Sequence, residues 1–170
     1  MLENVIETKN LSKQYGSFTA LDKVNMTVGR GEIYGLIGDN GAGKTTLLKL
    51  LSGLVYPGSG EMKMLGAYLP KELEAVRRRT GVLIESAGFY PQMNVEQNLE
   101  YYRLQKGVPG RRLVDQTLQM VGLTDKRKKR CRDLSMGMKQ RLGLAIALIG
   151  EPEILILDEP INGLDPSGII

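Results

Sequence analysis

Histidine is absent from the 170 residues, and cysteine occurs once, at Cys131. No imidazole is therefore available to whatever chemistry the chain performs. A lone cysteine excludes an internal disulfide and suits a reducing compartment, where it reads as a small packing residue. No apolar run approaches the roughly eighteen residues of a membrane-spanning helix. The opening "MLENVIETKN" lacks the basic-then-apolar layout of a signal peptide. Charge of one sign is also scarce: the net charge is +4, much of it in "RRR" (Arg77 to Arg79) and "KRKKR" (Lys126 to Arg130). Such runs read as solvated faces, and no nucleic-acid partner is expected from them. Length and composition, with 25% charged and 42% hydrophobic residues, suit one domain with a sizeable core. There is no repeat and no low-complexity segment.

Hydrophobic periodicity divides the chain into strands and helices. "NVIETKNLSKQY" and "KVNMTV" read as strands, with Val24, Met26 and Val28 on one side. After the turn "GRGE", the run "IYGLIG" suits a short buried strand. "GKTTLLKLLSG" sets Leu47, Leu48, Leu50 and Leu51 at helical spacing, with Gly53 as the stop. "EMKML" and "GVLIE" are further strands. From Val95 to Gly150 three helical blocks follow: "VEQNLEYYRLQKG", "RRLVDQTLQMVGL" and "MGMKQRLGLAIALIG". "EILILDEP" then reads as a continuous apolar strand ending in two carboxylates. Strands interleaved with helices, a helical block and a final core strand predict an α/β fold with an inserted helical subdomain.

"GDNGAGKTTL", Gly38 to Leu47, is poor in side chains and costly in backbone entropy, a cost that binding has to offset. It fits G-x-x-x-x-G-K-[ST], with Gly38, Gly43, Lys44 and Thr45 in the fixed positions. The flanking strand and helix are the context this pattern requires. Backbone N–H groups can close around an anion only where bulky side chains are missing. With the positive end of the following helix they make a phosphate nest. Gly38, Asp39, Asn40, Gly41, Ala42, Gly43, Lys44, Thr45 and Thr46 are therefore the candidate ATP-binding segment. Lys44 is expected to reach the β- and γ-phosphates, and the Thr45 hydroxyl to bind Mg²⁺. The plainer reading is a glycine turn before a core helix.

A phosphate loop of this kind needs an acid near the metal and a group that positions the attacking water. Asp158 closes the apolar strand at its carboxyl end, where ligands bind in open α/β sheets. Glu159, its neighbour, is suited to orient or deprotonate water. Taken alone, the pair is also an ordinary strand end capped by acids.

"LSMGMKQRLGLAIAL", Leu134 to Leu148, resembles the signature motif of ABC transporter ATPases, usually written L-S-G-G-Q. Leu134, Ser135 and Gly137 match; Met136 and Met138 depart from the usual glycine and glutamine. A serine and a glycine at a helix N-terminus make a second anion site, although Ser135 also reads as a simple helix cap. The resemblance runs essentially from end to end. It implies a P-loop ATPase core with an antiparallel β-subdomain and an inserted α-helical subdomain. Residues 1–85 and 150–170 are then the nucleotide-binding core, and residues 86–149 the helical subdomain, within a single partial domain, 1–170.

The same resemblance implies roles for further residues. Tyr15 falls where the family stacks an aromatic on adenine, and Asp165 in "NGLDP" is the subunit-contacting aspartate. Glu85 in "GVLIESAGFYP" stands where the family usually has a glutamine that touches Mg²⁺ and the transport partner. With "SMGMKQR", that change resembles the subgroup that exports or resists bacitracin, lantibiotics and similar peptides. A solvated strand-end acid is the other reading of Glu85. The implied protein binds ATP and Mg²⁺ and hydrolyses ATP as a head-to-tail dimer with a second copy. Ser135 and Gly137 of one copy would clasp the γ-phosphate held by Lys44 of the other. An integral membrane permease is the expected partner, which would place the chain in the cytoplasm, peripheral on the inner face of the membrane. Family members continue past "GLDPSGII" through further strands and a histidine near the γ-phosphate, so the resemblance implies a chain without its C-terminal part. The alternatives are an ABC-type ATPase acting on DNA or the ribosome, and a nucleotide-binding module without turnover.

Overall fold

Gly16 lets two long strands fold back on each other. β1 (Asn4–Tyr15) and β2 (Phe18–Gly29) pair antiparallel, with Tyr15 opposite Phe18. The computed structural model describes residues 3–85 and 88–160, which divide into two compact units, Met1–Arg77 and Arg78–Ile170.

In the first unit the hairpin extends into a four-stranded sheet of order β2-β1-β3-β4, with β3 (Ser59–Met64) and β4 (Ala67–Leu69). Every pairing is antiparallel. Met26 and Val28 are buried and Val24 is half-buried, as their alternation predicts. On β1 the period breaks between Thr8 and Leu11, both buried. There Asn10 takes a left-handed conformation (φ 49°), and its N–H donates to Asn25 Oδ1 at 2.9 Å. A bulge of this kind turns Leu11 back towards the core. α1 (Lys44–Leu51) buries Leu47, Leu50 and Leu51, and the chain leaves it through Gly53, whose N–H donates to Leu50 O. Each leucine so buried contributes about 1.5–3 kcal/mol. A short α2 (Leu73–Arg77) follows β4.

The second unit is built on a parallel pair. β5 (Thr80–Leu83) and β6 (Ile154–Leu157) run in register, Leu83 opposite Leu157. Parallel strands need a long crossover, and here it is the whole helical block: α3 (Val95–Gln105), α4 (Arg112–Met120) and α5 (Met136–Leu148). These helices meet around Leu99, Val114, Leu118, Leu142 and Cys131. Burial pushes the Cys131 thiol pKa up, so this residue packs rather than reacts. α5 lies directly over β5: a Cβ at Gly81 would overlap the Ala147 carbonyl.

The N-terminus of α3 organises the loops around it. Asn94 and Gln97 form a reciprocal capping box. The fully buried Asn98 accepts from Tyr90 N–H and donates to Tyr90 O, Asn94 O and Cys131 Sγ. The basic run straps the same end, since Val95 N–H donates to Lys129 O and Glu96 N–H to Arg127 O. Glu96, buried, pairs with Lys128 (2.5 Å), Arg127 (3.1 Å) and Arg111 (3.3 Å). So "KRKKR" is exposed for most of its length, yet two of its cations have a structural task.

Two expectations fail. "IYGLIG" is not a strand: no described strand pairs with it, and Ile33 and Ile37 are each 99% exposed. A buried strand exists only by pairing and cover, and apolar content alone supplies neither. For the same reason β6 is not buried on both faces. Ile154 and Ile156 point into the unit while Leu155 is 42% exposed.

Candidate functional site

The glycine loop lies in the first unit. Residues 38–43 run as irregular chain into α1, whose N-cap is Gly43 in the left-handed region (φ 88°, ψ 4°). Gly43 is pinned from outside: a Cβ there would overlap Ala20 O and sit 2.8 Å from Leu21 Cδ2. The loop is therefore seated against β2 through backbone, with no room for a side chain. Gly41 also has positive φ (85°), and a Cβ there would meet nothing within 4 Å. Ala42 N–H donates to Asp39 O at 3.2 Å, which closes a tight turn over Asn40 and Gly41.

Most helices place a serine, threonine, aspartate or asparagine at the N-cap, or an acid in the first turn. α1 has neither a side-chain cap nor a first-turn acid. Its positive end thus faces the loop without a carboxylate of its own. Lys44 folds back over the same loop, with Nζ donating to Gly38 O (2.7 Å) and Asp39 O (2.8 Å). A lysine head gathered onto two carbonyls beside an uncapped helix end concentrates positive charge within eight residues of chain, an arrangement suited to an anion. Thr45 and Thr46, half-buried, occupy the first turn of α1.

Tyr15 belongs to the same end of the hairpin. It is the last residue of β1, while Ala20 and Leu21, against which Gly43 sits, lie just past the turn. Its ring is 45% exposed, with Lys13 Nζ 5.0 Å from the centroid. A core aromatic is thereby excluded; Tyr15 is a surface ring with a cation over it.

The acids and the signature helix lie in the second unit. Asp158 and Glu159 follow β6 directly, and Asp158 N–H donates to Leu83 O at 2.7 Å, extending the parallel ladder by one bond. Glu85 stands two residues beyond Leu83 and Glu159 two beyond Leu157, so register brings both to the carboxyl edge of one sheet. Both hold left-handed backbone, φ 61° for Glu85 and φ 46° for Glu159. Such conformations cost of order 1 kcal/mol or more and cluster at functional sites. Ser135 caps α5, its Oγ accepting from Met138 N–H at 3.3 Å, and Gly137 lies in the first turn. Capping and anion binding are compatible there, because α5 also has no first-turn acid. Asp165 lies outside the described residues. Among the described residues no group of three or more histidine, cysteine, aspartate or glutamate side chains makes a metal cage. One residue carries no signal in the sequence beyond its place in a motif: Gln140 of α5, whose side chain reaches the backbone of Glu159 and Pro160.

Comparison with known proteins gives the family. Residues 21–162 match the family model described as ABC transporter. The chain belongs to the ABC transporter family. It is 45% identical to the bacitracin transport ATP-binding protein BcrA of Enterococcus faecalis, over 99% of this chain and 55% of that protein. It is 42% identical to the lantibiotic transport ATP-binding protein SrtF of Streptococcus pyogenes, over 97% of this chain and 70% of that protein. The chain thus spans about half the length of BcrA. Among solved structures it is similar to an ATP-binding subunit of an ABC transporter, with a TM-score of 0.88 and 32% identity over 97% of this chain and 70% of that one. A dimeric ATP-binding cassette in a post-hydrolysis state, bound to ADP and Pi, matches with a TM-score of 0.87 and 26% identity, over 96% and 77%. The fold is that of an ABC ATPase. No helix among the described residues is long and apolar enough to cross a membrane.

Proposed function

We propose that the chain is the ATP-binding part of an ABC transporter subunit that exports a peptide antibiotic or similar cargo. The observation that carries the ATP-binding part of this reading is the cationic loop at α1: Lys44 folded onto the loop carbonyls beside an uncapped, acid-free helix N-terminus. In this reading Lys44 leaves the carbonyls of Gly38 and Asp39 for the β- and γ-phosphates of ATP. The N–H groups of residues 40–46 hold the phosphate chain, and Tyr15 offers its exposed ring to adenine. The Thr45 hydroxyl and the carboxylates of Asp158 and Glu85 supply hard oxygen donors suited to Mg²⁺. That ion, when bound, neutralises charge developing on the phosphate oxygens. Glu159 orients the attacking water and takes its proton.

Ser135 and Gly137 are proposed to meet the γ-phosphate held by a second copy, so that nucleotide closes a head-to-tail dimer. A membrane permease would feel that closure, with the chain peripheral on the cytoplasmic face. The likeness to BcrA and SrtF supports bacitracin-like or lantibiotic-like cargo. Residues 1–85 and 150–170 are proposed as the nucleotide-binding core and 86–149 as the helical subdomain. Lys44→Ala tests the reading at its centre. It removes the phosphate contact and no core packing, so affinity for a fluorescent ATP analogue should fall at least tenfold with the melting temperature unchanged. Undiminished affinity in a folded variant would remove the phosphate-loop assignment.

A further inference from the structure

We propose that Gln140 is the positioning residue for Glu159, and that through it the signature helix governs the placement of the water-orienting carboxylate in its own copy. The inference rests on the reading of Glu159 given above.

The Gln140 amide donates from Nε2 to Pro160 O at 3.1 Å and to Glu159 O at 3.4 Å. A carboxamide nitrogen carries two N–H donors, and here both have an acceptor on consecutive residues of one loop. Holding a glutamine in one rotamer costs side-chain entropy of the order of 1.5–2 kcal/mol. Two convergent acceptors are what makes the fixed rotamer worth that cost. Glu159 needs such a hold. Its φ of 46° is unusual for a residue with a Cβ, and left-handed backbone persists only where the surroundings impose it. From the strand side the loop is held by Asp158 N–H on Leu83 O. From the helix side it is held by Gln140.

The helix end of this link is as informative as the loop end. Gln140 lies one turn beyond Gly137, on the same face of α5, and Ser135 caps that helix. A helix of 13 residues moves as a rod on the scale of one hydrogen bond. Its far half is seated on β5, where a Cβ at Gly81 would overlap Ala147 O. A small tilt of its N-terminal turn, such as phosphate from a second copy would impose at Ser135, therefore acts on the carbonyls of Glu159 and Pro160. Glu159 is then aligned when the signature turn is engaged and less well aligned when it is not. A side chain merely resting on the helix surface would not need two donors or a strained acceptor.

The test is steady-state ATP turnover by the full-length protein and three variants, with melting temperatures alongside. Gln140→Glu keeps shape and length but sets a carboxylate against two carbonyl oxygens. Gln140→Ala removes the contact, and Gln140→Lys restores donors on a long stem. Because displacements near 1 Å can cost about a hundredfold in rate, kcat should fall ~10- to 100-fold in Gln140→Glu and Gln140→Ala. KM for ATP and the melting temperature should stay near those of the unsubstituted protein, and Gln140→Lys should recover part of the lost kcat. The inference is overturned by a Gln140→Glu protein that turns over within about twofold of normal. A fall explained by KM or by unfolding overturns it too, as does a lysine variant no better than alanine. If the unsubstituted protein itself hydrolyses no ATP, the ATPase reading fails and the role of Gln140 falls with it.

Discussion

Gly43 answers two demands that no other residue type meets together. Its φ of 88° is a conformation that a Cβ makes costly, and the space a Cβ would fill is taken by Ala20 O and Leu21 Cδ2. Gly41 answers only the first, since nothing stands within 4 Å of its missing side chain. The two glycines are alike in the sequence and unlike in the fold. Gly43→Ala should therefore cost about 1–3 kcal/mol or more of stability and weaken nucleotide binding, because the loop must leave its seat on β2. Gly41→Ala should cost about 1 kcal/mol, the conformational part alone. Urea denaturation of the two variants compares them directly, and equal losses would show that the contact with β2 carries no weight. Of the two elements expected to flank the loop, the helix was legible from its leucine spacing and forms as α1, whereas the strand expected before it does not form. The lysine's position over Gly38 O and Asp39 O was not legible, since it depends on how the loop closes.

The helices were largely legible from periodicity and caps. Ser135 was read as the cap of α5 and is one, because a cap is a local signal; the Asn94–Gln97 box at α3 is as local but was not read. The role of "KRKKR" was not legible, because it depends on Glu96, some thirty residues earlier on another element. In the sequence Glu96 is an ordinary first-turn acid of α3. In the fold it is a buried carboxylate facing Lys128, Arg127 and Arg111, with Arg127 also held by Asp115 at 2.6 Å. The hydrogen bond from Lys128, and then the charges of Arg127, Lys128 and Arg111, hold its pKa below the ordinary value of 4.5, against the opposing effect of burial. A carboxyl group with a lowered folded-state pKa contributes stability that is full above its unfolded pKa. That contribution is lost as pH falls through the folded value. Glu96→Gln should thus destabilise the protein by about 1–2 kcal/mol at pH 7, a modest figure because Lys128 and Arg111 are exposed and screened. The gap should close as pH drops below 4.5. Thermal melts of both proteins across that range decide it; a gap independent of pH would mean that glutamine disturbs packing and that the charge cluster is inert.

The largest departure from the sequence concerns what covers what. "IYGLIG" has the composition of a core strand, and composition is all that a sequence reading can weigh for a short apolar run. Whether such a run becomes a strand depends on a neighbour offering a free edge, which is a property of the assembled sheet. Among the described residues β5 pairs only with β6, and the run pairs with nothing. Ile33 and Ile37 are each 99% exposed and Tyr34 is 48% exposed. Scattered exposed isoleucines are ordinary, but two within five residues, on backbone outside any ladder, form an adhesive segment. A second copy of the chain can satisfy both needs, apolar cover and backbone hydrogen bonds, by pairing along this stretch. Residues 1–170 in solution should therefore associate in a concentration-dependent way in the micromolar range or above. Replacing Ile33 and Ile37 together by lysine should shift the population towards monomer, because charge on an unpaired edge opposes pairing. The double substitution should leave the fold intact, since neither side chain is packed. Size-exclusion chromatography with light scattering, run over a concentration series for both proteins, separates the outcomes. A monomeric parent at every concentration, or association untouched by the two lysines, would show that this segment is not what brings copies together.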